Sequence, residues 1–323
     1  MTGTPVILDT DTGVDDAMAV VYGLLMENLD VLALTTVFGN VGLEATTRNT
    51  LAIAEQIGVE PPPVSRGAAQ ALIEPSSSYE FVHGDDGVGN ADFPVPRAQV
   101  TGEPAAQTII RLAHAHAGEL VLVAIGPLTN LALALRLDET LPALIKRVVW
   151  MGGVVTTPGN VTPVAEADAA LDPEAAWIVL DADWPITMVG LDVTDRTIFE
   201  ADDYERVRSA QTPAARYVSA VAPFYMSFYE KSLGRWACPL HSPLAVGIAA
   251  DPTLATDTLR CPVTVSLGAG VTRGMTVADR RPGQDTGARE SMAARTIDTV
   301  LDVDIPRFKA HFLETICDAR TNR

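Results

Sequence analysis

The stretch Val6–Ala17 reads Val-Ile-Leu-Asp-Thr-Asp-Thr-Gly-Val-Asp-Asp-Ala and places four carboxylates, Asp9, Asp11, Asp15 and Asp16, within eight residues. An apolar run precedes them and a helical pattern follows. A strand would deliver Asp9 and Asp11 to its end, Gly13 would permit the turn, and Asp15 and Asp16 would open the helix. Acidic residues are favoured at a helix start, where backbone N–H groups and the macrodipole favour negative charge. That accounts for one or two of them. Four, two of them before the turn, repel one another unless something cationic sits among them. A hard divalent ion with oxygen ligands, calcium or magnesium, suits such a set. Two chemistries fit these residue types: an Asp that attacks phosphorus in a phosphotransferase, and an Asp that deprotonates a metal-bound water.

The elements that must hold these residues alternate along the chain. Val6–Leu8 and Val31–Val37 read as strands, with helices over Asp15–Glu27 and Leu43–Ile57. Glu74–Arg97 is polar and rich in Pro, Gly and Ser, and reads as a long functional loop. A helix near Ala105–Ala115, a strand at Leu120–Ala124 and a helix after Gly126-Pro127 follow. Val148–Met151 and Ile186–Val189 read as buried strands, with a helix at Pro173–Leu180 between them. Beyond residue 200, helices are expected at Tyr204–Ser209, Ala214–Glu230 and Pro306–Cys317. Strands are expected at Thr258–Leu267, Thr276–Asp279 and Arg295–Val303. Alternation of this kind predicts an α/β fold, a mostly parallel sheet flanked by helices. Ligands of such sheets bind outside the carboxyl ends of the strands. Asp9–Asp16, Gly39-Asn40, Gly126-Pro127 and Gly152-Gly153 all follow strand ends, and so could converge. No composition shift or internal repeat marks a boundary, and residues 1–323 read as a single domain.

Composition bounds the partners. A net charge of −18 argues against nucleic acid and anionic membranes, and 47% apolar residues can build a substantial core. Cys238, Cys261 and Cys317 are far apart, with no zinc or disulfide pattern. No leader and no membrane-spanning run is visible, so a cytoplasmic protein is expected.

The motifs resemble those of the inosine–uridine-preferring nucleoside hydrolases. The N-terminal signature matches at Asp9–Asp16, and further matches lie at Thr35–Asn40, His83–Asn90, Gly126–Asn130 and Met151–Gly153. Asn160, Glu166, Asp172–Ala176, His241 and Thr272–Asp279 complete the set in order along most of the chain. The resemblance implies hydrolysis of the N-glycosidic bond of a ribonucleoside to free base and ribose, in purine or pyrimidine salvage. It implies Ca2+ held by Asp11, Asp16 and the Ile125 carbonyl, with Asp11 taking a proton from a calcium-bound water. Asp15, Asn40, Asn160 and Glu166 would bind ribose hydroxyls, and Met151 would pack under the sugar. His241 would protonate or polarise the departing base. His83, Tyr225 and Tyr229 would border the base, near two mobile stretches at 74–90 and 223–240. A homodimer or homotetramer is expected on the same ground.

Two positions depart from the family pattern. Ser242 stands where an Asp that ligates calcium is usual, so a weak neutral ligand replaces a charged one. Asp168 stands where Asn is common, two residues after Glu166. Asp168 would either restore the charge lost at Ser242 or alter the sugar pocket. These departures keep open an alternative, a nucleoside- or ribose-binding homologue with altered or lost hydrolysis. A third difference, Thr12 for Pro, bears on the turn. His114, His116 and His311 read as structural.

Overall fold

The structure, a computed structural model, describes residues 3–75, 77–281 and 295–318. β1 (Thr4–Thr10) is a run of apolar residues buried on both faces, the pattern of a strand inside a parallel sheet. Val6 and Leu8 point into one core and Ile7 into the other. The same holds for β4 (Val121–Ile125), β5 (Arg147–Met151) and β6 (Ile186–Val189). With β2 (Leu29–Thr36) and β3 (Val64–Arg66) on one flank, they form the parallel part of one nine-stranded sheet. The other flank is β11 (Thr296–Val303), parallel to β6. Beyond it β9 (Ala255–Val265) and β10 (Thr276–Ala278) pair antiparallel. The order is β10-β9-β11-β6-β5-β4-β1-β2-β3.

The fold is therefore the expected one. Its order reverses at β1, which pairs with β2 on one side and β4 on the other, Thr10 lying opposite both Thr36 and Ile125. A crevice opens at such a switch point, outside the carboxyl ends of the strands. The turns holding Asp11, Asn40, Gly126 and Gly152 all open there.

Helices cover both faces. Val14–Leu25 and Pro213–Leu233 contribute to the core that includes Val6 and Leu8. Ala105–Ala115, Thr129–Leu137 and Pro173–Asp181 contribute to the core on the other face. The long helix begins with Thr212, whose hydroxyl accepts the Ala215 N–H at 2.9 Å, and with Pro213 in the first turn. Its end is Gly234, whose φ of 68° is left-handed.

Helix His241–Ala250 has no counterpart in the sequence reading. Its residues through Ala249 are buried, so no polar stripe marks a helical period. A two-stranded ribbon, β7 (Ile198–Phe199) with β8 (Cys238–Pro239), leads into it. The loop Glu74–Arg97 contains a helical turn, Glu80–His83. None of the helices among the described residues is long and apolar enough to cross a membrane.

Candidate active site

At the crevice lies a cavity of about 510 Å³, within the range of small-molecule sites. Its floor is acidic. Asp11 leaves β1 with no exposed surface, and its Oδ2 accepts the Asn40 N–H at 2.8 Å. Its Oδ1 is buried without a hydrogen-bond partner among the described residues. Gly39 and Gly126 crowd this carboxylate; a Cβ at Gly126 would stand 2.9 Å from Oδ1. Asp16 reaches back from the third helical position to accept the Gly13 N–H at 2.9 Å, the reciprocal half of a capping box. It also accepts from Asn40 Nδ2 at 2.7 Å and from Ser242 Oγ at 2.7 Å. Asp15 Oδ2 accepts the Ser242 N–H at 3.2 Å, so helix His241–Ala250 docks its first turn on the acidic pair. Thr12, in place of the usual Pro, fixes the turn through its hydroxyl, 2.6 Å from that of Thr50.

Ile125 and Met151 end β4 and β5 beneath the cavity. Glu166 begins helix Ala167–Leu171, and its carboxylate accepts three backbone N–H groups, from Gly153, Asp168 and Ala169. Asp168 follows it into the cavity. Asn160 sits exposed at the rim, on a loop whose start is tied by Asp192, which accepts the Val155 and Thr156 N–H groups at 2.9 and 2.6 Å.

The opposite wall is aromatic. His83 Nδ1 accepts the Val14 N–H at 3.0 Å, which leaves its proton on Nε2. Its ring stacks on Tyr225 at 5.2 Å. His241 Nδ1 lies 2.8 Å from Thr194 Oγ1, and its Nε2 lies 3.3 Å from the Tyr229 hydroxyl. Phe81, 67% exposed, meets Phe228 edge to face at 6.0 Å at the mouth.

Burial sets the electrostatics. It lifts Asp11, Asp16 and Asp168 well above the usual carboxylate range, and mutual repulsion adds to this: Asp16 on Asp11, Asp15 on Asp16, and Glu166 then Asp11 on Asp168. Glu166 is also raised by burial, against its three N–H donors. His83 is pushed down to about 4 by burial, so its ring is neutral at pH 7.

Every site residue named from the sequence lines this one cavity: Asp11, Asp15, Asp16, Asn40, His83, Ile125, Met151, Asn160, Glu166, Asp168, Tyr225, Tyr229, His241 and Ser242. Asp9 does not. It turns away to Asn130 Nδ2 at 2.8 Å and to the Thr35 hydroxyl, and burial raises it to about 6. That removes the geometric basis for an Asp9 phosphorus nucleophile. The lining residues not anticipated include Tyr79, Phe81, Asp195 and Phe228; nor was Thr194 anticipated, which lies behind His241. Among the described residues, no three His, Cys, Asp or Glu side chains form a ready metal-ligand group. An ion here would need backbone, hydroxyl or water oxygens as well as carboxylates.

Comparison with known proteins agrees with the geometry. Residues 6–310 match the family model described as inosine-uridine preferring nucleoside hydrolase. The chain is 37% identical over 292 residues to an inosine-uridine preferring nucleoside hydrolase of Leishmania major, covering 90% of this chain and 92% of that one. It is 35% identical to a probable uridine nucleosidase 2 of Arabidopsis thaliana, covering 93% and 94%. A solved plant nucleoside hydrolase superposes with a TM-score of 0.92 at 32% identity, over 97% of this chain and 99% of that one. A purine-preferring ribonucleoside hydrolase from Gardnerella vaginalis gives 0.89 at 35%, over 97% and 98%. The chain belongs to the inosine-uridine preferring nucleoside hydrolase family.

Proposed function

We propose that this protein hydrolyses the N-glycosidic bond of ribonucleosides, releasing free base and ribose. The observation that carries the reading is Asp11 Oδ1, a buried carboxylate oxygen with no hydrogen-bond partner among the described residues, in a cavity that His241 also lines. The relatives are named as hydrolases and nucleosidases, which favours turnover over a binding-only role.

The floor fits a divalent cation. Its donors are all oxygens, one of them orphaned, and among the described residues no Lys or Arg lines the cavity to balance them. Asp11, Asp16, the Ile125 carbonyl and the Ser242 hydroxyl would hold it, and an oxygen set of this kind suits Ca2+. Bound there, calcium would make a nearby water more acidic and would offset the repulsion among the carboxylates.

The chain's own groups do the rest. Asp11 Oδ1 accepts the proton of the attacking water. Asp15, Asn40, Asn160 and Glu166 hold the ribose hydroxyls, and Met151 packs against the ring. The acidic floor stabilises positive charge as the sugar becomes oxocarbenium-like. Beside the base, His241 Nε2, which lies 3.3 Å from the Tyr229 hydroxyl, passes a proton to the departing base and is reprotonated from solvent, to which Asp11 releases the proton it took from the water. His83 is neutral, with its Nδ1 already accepting from Val14, so it offers an Nε2–H hydrogen bond to the base rather than a proton.

The test is base release from a panel of ribonucleosides, with added calcium and with chelator. Calcium-dependent appearance of free base and ribose is expected. Binding of nucleosides with no base released from any would overturn the reading in favour of a binding protein.

A further inference from the structure

Asp168 has no counterpart on the floor. Its side chain is 8% exposed and lines the cavity. Among the described residues it accepts no hydrogen bond and joins no ion pair, although its backbone N–H donates to Glu166 Oε1 at 2.9 Å. The other carboxylates are largely spoken for. Glu166 accepts three N–H groups, Asp16 accepts three donors, and Asp11 Oδ2 accepts one. The free acidic acceptors that face the cavity therefore include Asp11 Oδ1 and the carboxylate of Asp168. A buried carboxylate with no partner is costly, and among the described residues no cationic side chain lines this cavity to relieve it. A bound cation would relieve it.

Ser242, held against Asp15 and Asp16 on the same floor, brings no charge. Its hydroxyl is spent as a donor to Asp16 Oδ1 at 2.7 Å and its N–H as a donor to Asp15 Oδ2 at 3.2 Å. The floor thus has both a neutral donor and an unspent negative charge. We propose that Asp168 supplies the negative charge that completes the divalent-cation site, a charge that Ser242 lacks. Among the described residues no three His, Cys, Asp or Glu side chains close into a ligand group, so Asp168 acts on the bound ion through its charge, as a positioning residue. This rests on the proposal that the floor holds Ca2+, and it assigns Asp168 to the ion rather than to the sugar.

The test is a titration of calcium-stripped protein with Ca2+ alone, in the absence of nucleoside, by calorimetry. Asp168→Asn keeps shape and removes charge. Its calcium affinity is expected to fall about 10- to 100-fold, the usual cost of losing a partner outside the ligand shell. Ser242→Asp in that background is expected to restore affinity, which a misfolded variant would not allow. Asp195→Asn, which removes a charge elsewhere in the cavity lining, is expected to change affinity less than about threefold. Wild-type affinity in Asp168→Asn would overturn the inference alone, whatever the variant did to KM. An equal loss in Asp195→Asn, or no rescue by Ser242→Asp, would also overturn it. Wild-type protein that bound no calcium would overturn both this inference and the cation reading beneath it, and hydrolysis measured separately would show whether the activity survives them.

Discussion

The acidic floor and the aromatic wall of the cavity are built by different means. Floor groups are fixed by main-chain hydrogen bonds at strand ends: Asp11 by the Asn40 N–H, Asp16 by the Gly13 N–H, Glu166 by three N–H groups. The wall is made of side chains from a four-residue helical turn and the long helix Pro213–Leu233, held mostly by ring contacts. Phe81 meets Phe228 at 6.0 Å, and Phe228 meets Tyr229 at 5.1 Å. Reacting atoms tolerate little displacement, and backbone anchoring provides that accuracy. A flat base needs only a face and a few polar contacts. On the proposed mechanism the floor activates the water for any nucleoside, while the wall meets the base, with His241 as its proton donor and the rings as its selective surface.

The largest effect should come from the floor. Asp11→Asn can still accept the Asn40 N–H but cannot take a proton, and kcat should fall by about 10²–10⁴ on every nucleoside. Steady-state rates on a purine and a pyrimidine nucleoside check this; a loss confined to one base would break the floor–wall division. His241→Ala should cost about 10²-fold on natural nucleosides, whose bases leave poorly without a proton. On a riboside with an activated leaving group such as p-nitrophenol the same variant should lose almost nothing. Equal losses on both substrates would remove His241 from leaving-group chemistry.

Smaller changes belong to the mouth of the wall. Phe81→Ala should alter KM by a few-fold in a base-dependent way, because an aromatic–base contact is worth about 1–3 kcal/mol at most. Its exposed position predicts a stability change within about 0.5 kcal/mol, measurable by denaturant unfolding. The subtlest test concerns pH. His83 is held down to about 4 in the fold against 6.5 when unfolded. Between those values the unfolded chain binds the extra proton, so the stability tied to neutral His83 is present above pH 6.5 and lost as pH falls towards 4. Wild type should lose stability relative to His83→Gln across that window, by at most about 1.4 kcal/mol per pH unit. Parallel stability curves for the two proteins would contradict the buried, neutral ring.

The floor was legible in the sequence because its carboxylates are dense at Asp9–Asp16 and because Asn40, Ile125 and Met151 sit at or just past the ends of apolar runs that read as strands, whereas Glu166 was reached only through the family motifs. Asp11, Asn40, Ile125, Met151 and Glu166 come together through sheet topology, and alternation of strands and helices foretold that topology. Much of the wall was not legible. Thr194, Phe81 and Phe228 acquire meaning only by proximity to His241 or to one another, which no local pattern encodes. Helix His241–Ala250 stayed hidden because it is buried on every side and shows no amphipathic period. Strands as short as β7 and β8 fall below any periodic signal. Asp9 shows the converse: in sequence it resembles Asp11, but it lies inside β1, on the face it shares with Ile7, and meets Asn130, whereas Asp11 lies past the strand end and lines the cavity.

The central claim is that water, activated by Asp11, is the nucleophile at the sugar carbon. The most direct test is turnover of a ribonucleoside in ¹⁸O-labelled water without phosphate, followed by mass analysis of the products. The account predicts one labelled oxygen in each ribose released, none in the base, and loss of labelled ribose in Asp11→Asn. Unlabelled ribose, or turnover that requires phosphate and yields a sugar phosphate, would contradict it.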